Sequence, residues 1–155
     1  MKAIIFTVSM LLPGVALADS QGKVNPDPAA SCEGFKPHNL CFALPNDGLA
    51  RSEYSSAPFY AIILKTAARC SIADKDRLEV QKLFARNKVF FERFNCNDDS
   101  EESIRYTNVN EQYSFLAVHA GATAKEANKL LSEVKATGKF PGANIRKMQG
   151  VFVFP

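Results

Sequence analysis

Several signatures of chemistry are missing from this sequence. It has no GxSxG elbow and no CxxC pair, and its two histidines, His38 and His119, stand far apart. A nucleophile elbow with its triad is therefore not expected, and a zinc site would need cysteine spacings that the chain does not offer. Charge of one sign is scarce too. Nineteen Lys and Arg face sixteen Asp and Glu, which is no electrostatic footprint for nucleic acid. The acids of NDDSEE (97–102) could imitate a paired-carboxylate site, but clustered in a loop they are not held at the fixed separation that glycoside hydrolysis needs. No enzyme, cofactor or metal is expected.

Long apolar runs are absent except at the start. There Lys2 precedes the apolar stretch Ala3 to Leu17, and Ala16-Leu17-Ala18 has the small-x-small form of a signal-peptidase site. The run contains Pro13 and Gly14, falls short of the ~20 residues that cross a bilayer, and leads straight into polar residues. We read 1–18 as a cleavable signal peptide, with no cysteine behind it to carry a lipid and no transmembrane segment after cleavage. Export to the periplasm is the expectation. The remaining 137 of 155 residues suit one domain.

In an oxidising compartment four cysteines imply two disulfides, and the sequence alone allows three pairings. Cys32 and Cys41 close a short loop, CEGFKPHNLC, inside a stretch rich in Pro, Gly, Asn and Ser. We expect 19–57 to be an extended N-terminal arm stapled by that pair, and 58–155 to be the globular domain.

Within the domain, FYAIILK (59–65), KVFFERFNC (88–96) and YSFLAVHA (113–120) are strand candidates. CSIADKDRLEVQKLFARN (70–87) is helical in composition, with Ser71 and Asp74 spaced as a capping box. A second helix follows Gly121. Thr123 and Glu126 form its capping box, Ala127, Leu130, Leu131 and Val134 its stripe, and Gly138 its C-terminal stop. The chain then carries ANIRKM and VFVF around Gly150, either one bulged strand or a hairpin.

That order, β-α-β-β-α-β, is the split βαβ arrangement of the α+β ferredoxin-like (RNP-like) fold: a four-stranded antiparallel sheet with two helices on one face. A right-handed crossover returns the second strand parallel to the first, with its end at the start of the first helix. Cys70 and Cys96 should then be neighbours. An RNA-binding role on this topology is not expected, because Lys88 to Phe94 lacks the glycines of the RNP pattern.

The stretch YSFLAVHAGATAKEANKLLSEVKATGKFPGANIRKM (113–148) resembles the second half of a SPOR domain, the sporulation-related repeat that binds peptidoglycan in bacterial cell-envelope and cell-division proteins. The likeness lies in the order of a Tyr-led strand, a Gly turn, the EA…LL…VK helix, then Gly, an aromatic, Pro and a final strand; 59–97 fits more loosely. It implies binding of peptidoglycan, especially glycan strands stripped of stem peptides, on the sheet face opposite the helices. Strand phase would put Ile63, Lys65, Phe91, Arg93, Phe115 and His119 there, with Phe90, Phe94 and Cys96 turned towards the helices. Aromatic rings stack on sugar CH faces and polar groups meet the hydroxyls. Ile63 departs from the family, where a polar residue is usual, and suits a more apolar partner. The competing reading is a periplasmic protein-interaction module, such as an inhibitor, immunity protein or envelope assembly partner, using the same face.

Overall fold

The computed structural model describes residues 26–27, 35–43, 53–94, 96 and 104–153. The expected signal peptide (1–18) lies outside them, as do Cys32 and Asn95.

Nearly continuous apolar runs, as strands buried on both faces require, form the two longest strands, β4 (Phe59–Ala68) and β7 (Tyr113–Gly121), which pair antiparallel along their length. β5 (Val89–Glu92) adds to the other side of β7, and β8 (Asn144–Met148) to the other side of β4. The sheet order is β5-β7-β4-β8, antiparallel throughout. β4 and β5 thus run in the same direction with β7 between them, joined through α1 (Asp74–Gln81); β7 and β8 are split by β4 in the same way and joined through α2 (Ala124–Ala136).

The second helix has the start that its sequence predicts. Thr123 Oγ1 accepts from the Glu126 amide at 3.3 Å, the Glu126 carboxylate accepts from the Thr123 amide at 2.9 Å, and Ala127, Leu130 and Val134 are buried. Gly138 has φ +68°, a left-handed stop that L side chains disfavour. The first helix differs from expectation. It begins at Asp74, with Ala73 as N-cap; the acid that reaches back to the Ala73 amide is Asp76, not Asp74, while Ser71 donates to the Ala68 carbonyl. It ends at Gln81, well before Asn87, and the Gln81 carboxamide holds the chain that follows by donating to the Phe84 and Asn87 carbonyls and accepting from the Val89 amide.

Both faces of the sheet are covered. On the helix face Ile62, Leu64, Val89, Phe91, Leu116 and Val118 pack with Ala127, Leu130 and Val134. On the other face Ala61, Ile63, Phe90, Phe115 and Ala117 meet Leu40, Phe42, Tyr54, Ile104, Tyr106 and Phe152. Those covering residues belong to β2 (Cys41–Phe42), β3 (Glu53–Ser55), β6 (Ile104–Tyr106) and β9 (Gly150–Val153) and to the segment before β2. β3, β9 and β6 form a second antiparallel sheet with β9 in the middle, and β2 pairs with β1 (Pro26–Asp27). The run 143–154 is accordingly neither a bulged strand nor a hairpin, since β8 and β9 sit in different sheets on either side of Gln149.

The arm is built into this second layer. Leu40 and Phe42 are buried, the Leu40 amide donates to the Tyr106 hydroxyl at 3.1 Å, and the His38 carbonyl accepts from the Phe91 amide at the edge of β5. The His38 ring stacks on Phe91 with centroids 4.5 Å apart. Lys88, only 1% exposed, donates its amine to the Pro37 carbonyl at 2.9 Å. Burial and the neighbouring Arg77 push that amine down to about 8.

Cys70 and Cys96 are disulfide-bonded, with Cα atoms 5.7 Å apart. Cys41 is disulfide-bonded as well. No helix of the described residues is long and apolar enough to cross a membrane.

Candidate functional site

The layer of β3, β9 and β6 covers only part of the face opposite the helices. At the end of the sheet where β4 finishes and β7 and β8 begin, a groove of about 420 Å³ remains, lined by Ile63, Thr66, Asn108, Val109, Asn110, Tyr113, Phe115, Asn144 and Arg146. Its floor is the sheet itself. Ile63 pairs with Asn144 and Thr66 with Phe115, and directly paired residues in a sheet share a face, so these four side chains project together.

A β-bulge selects which residue of β4 reaches the groove. Ile63 pairs with Ala117 but Lys65 already pairs with Leu116, so Leu64 is the extra residue. The bulge turns the exposed Lys65 to the helix face and gives its expected place to Thr66.

The wall comes from 107–112, the connection between β6 and β7. Asn108 takes a left-handed backbone (φ +59°), which asparagine tolerates, and donates its side-chain amide to the Lys147 carbonyl at 3.0 Å. Asn110 accepts from the Gln112 amide through its side chain and from the Tyr113 amide through its carbonyl. Tyr113 follows as the first residue of β7, with half of its surface exposed (50%). The lining therefore combines an accessible phenol ring, three carboxamides, a threonine and the cation Arg146, without an acidic side chain.

Of the residues expected to form a site, Ile63 and Phe115 line this groove, although both are buried as its floor. Phe91 and Arg93 do not. The expected phase of 88–96 is inverted: Val89 and Phe91 face the helices, whereas Phe90 and Phe94 join the opposite core. The reason lies at the strand's end. β5 stops at Glu92, whose buried carboxylate accepts from the Arg93 and Phe94 amides at 3.1 Å each, and Phe94 adopts φ +55°. This turn breaks the two-residue alternation, so Cys96 meets Cys70 without taking Phe90 to the helix side. The Arg93 guanidinium lies 5.3 Å from the Phe91 ring centroid, at the sheet edge.

His119 keeps its expected face but reaches another place. It packs 5.5 Å from the Phe59 ring and lines a second cleft, of about 410 Å³, with Arg86, Asn87, Ala120, Gly121, Glu126, Lys129, Leu130 and Glu133. Burial pushes its imidazole down to about 4, against a weaker opposing pull from the Glu126 carboxylate.

Tyr113, Asn108, Asn110, Asn144 and Arg146 were not anticipated. The TNVN spacing carries a turn signal, but its position beside β8 depends on the second sheet, which joins β6 to β9. Among the described residues no group of three or more His, Cys, Asp or Glu is placed to hold a metal ion.

Comparison with protein-family models, curated proteins and solved structures finds no match for this chain.

Proposed function

We propose that this chain is an exported, periplasmic cell-envelope protein that binds peptidoglycan glycan strands, in a SPOR-like manner, through the groove between β4, β7, β8 and the 107–112 connection. The strand order and the two split crossovers support a ferredoxin-like core, to which the β3-β9-β6 layer is an addition. That layer moves the site from the whole sheet face to its uncovered end.

The observation that carries this reading is the lining of the groove. A half-exposed Tyr113 offers a ring for a sugar's CH face, while Asn108, Asn110, Asn144 and Thr66 supply donors and acceptors for hydroxyls. Arg146 suits a ligand that also carries a carboxylate. An acid-free lining avoids repelling such a group.

The test is co-sedimentation with purified peptidoglycan sacculi, before and after an amidase removes the stem peptides. Tyr113→Ala is the appropriate variant, because Phe115 is a buried floor residue whose truncation would disturb the fold. We expect more pelleting with stripped glycan and a loss of about ten-fold in affinity for Tyr113→Ala, the size of one lost stacking contact. Absence of pelleting with either material would refute the reading.

The competing protein-interaction reading rests on β8. It is the edge strand of the four-stranded sheet and exposes Asn144, Arg146 and Lys147 beside the same groove, where a partner's extended segment could pair. Such a partner would be recovered by cross-linking from an envelope fraction in place of sacculi.

A further inference from the structure

The cleft around His119 stands apart from the groove, at the other end of β7, where that strand runs into α2. Its composition is unlike that of the groove. Arg86 and Lys129 bring two cations, Glu126 and Glu133 two carboxylates, and Leu130 with Ala120 an apolar surface. None of Arg86, Lys129 and Glu133 is ion-paired among the described residues, although Lys129 and Glu133 are one helical turn apart. Glu126 is held by Thr123, whose hydroxyl and amide both donate to its carboxylate.

His119 is the second, independent observation. It is only 8% exposed, yet its imidazole makes no hydrogen bond to any described residue; the bonds at this position involve the backbone alone. Its ring nitrogens are not sealed from solvent, so an imidazole that lines the cleft without a protein partner is open to a hydrogen bond from a ligand. The backbone around it is fixed. Asn87 donates its carboxamide to the His119 carbonyl at 3.0 Å, and the His119 amide donates to the Lys88 carbonyl at 2.9 Å.

We infer that this cleft is a binding site for a small zwitterion, an α-amino acid or the charged end of a short peptide. The carboxylate of such a ligand meets Arg86 and Lys129, its ammonium meets Glu133 and Glu126, and His119 supplies the neutral hydrogen bond between them. A simple anion would be repelled by the two glutamates, and a simple cation by Arg86 and Lys129. A ligand carrying both signs suits a lining whose four charges cancel. His119, uncharged at neutral pH, accepts or donates without disturbing that balance. This inference does not rest on the glycan reading, since the groove and the cleft share no lining residue.

The test is an NMR titration of the mature protein at pH 7 with free alanine of either hand, reading the His119 ring nitrogens and the α2 amides. N-acetylalanine, which lacks the ammonium, and alaninamide, which lacks the carboxylate, serve as the controls. We expect saturable shifts with alanine in the millimolar range, and binding weaker by about ten-fold or more for each analogue, since each leaves one set of charges unmatched. Lys129→Gln and Glu133→Gln, both at exposed helix positions, should weaken alanine binding while leaving sacculus pelleting unchanged. Equal binding of N-acetylalanine or alaninamide would overturn the inference, and so would the absence of saturable shifts.

Discussion

His119 makes the stability of this protein depend on pH in a direction that can be stated in advance. Its folded value of about 4 lies below the ordinary value of 6.5, so the unfolded chain takes up a proton in a range where the folded one refuses it. Stability from this group is complete above about pH 6.5 and is lost as the pH falls towards 4, by about 3 kcal/mol in all. Urea unfolding of the wild type and His119→Gln across that window checks it; an unchanged slope in the variant would sink the idea. Lys88 acts with the same sign at higher pH. Its amine is pushed down to about 8 from 10.5, so stability should rise as the pH climbs from about 8 towards 10.5. An ammonium whose nitrogen shift titrates near 10.5 in the folded protein would contradict this.

At this scale the sequence was legible where a single strand phase decided the matter, as for Ile63 and Phe115. It was not legible where one residue broke the phase. The bulge at Leu64 and the left-handed Phe94 each invert the alternation, and neither position carries the glycine that would have announced it.

Among the elements, α2 is the one whose start, stripe and stop could all be read, because its capping and packing signals agree. Replacing Thr123 by Ala should cost about 1 kcal/mol, as loss of an N-cap does, and chemical denaturation would measure it. β9 is held by a closer constraint. A Cβ at Gly150 would lie 2.7 Å from the tip of the Phe42 ring, which is itself buried. We expect Gly150→Ala to destabilise by about 1–3 kcal/mol through overpacking, and a variant as stable as the parent would show that Phe42 can retreat. β3 and β6, and the pairing of β9 with them, were hidden for a physical reason. Strands of three residues show too little alternation to be recognised, and what stabilises them is pairing between segments far apart in the chain, Tyr54 with Phe152 above all.

For the molecule as a whole, the Cys70 to Cys96 bond ties the end of the first crossover to its beginning. Its position followed from the expected crossover, which makes the disulfide the part of the tertiary structure most directly readable from sequence. Replacing both cysteines by serine should cost about 3 kcal/mol, the loop-closure entropy of a span this long. Thermal unfolding of the double variant checks it, and an unaltered melting temperature would mean that the unfolded chain is constrained in some other way.

The central place of β9 has a temporal consequence. Both of its neighbours precede it in the chain, β3 by almost the full length of the described domain, and no layer can close over Phe59, Phe90 and Phe115 until residues 150–153 arrive. A chain emerging from a ribosome or threading through a pore would keep that aromatic surface wet until the final strand is free. Such non-local closure is slow, so the same arrangement that seals the core leaves it open until the last of these strands is in place.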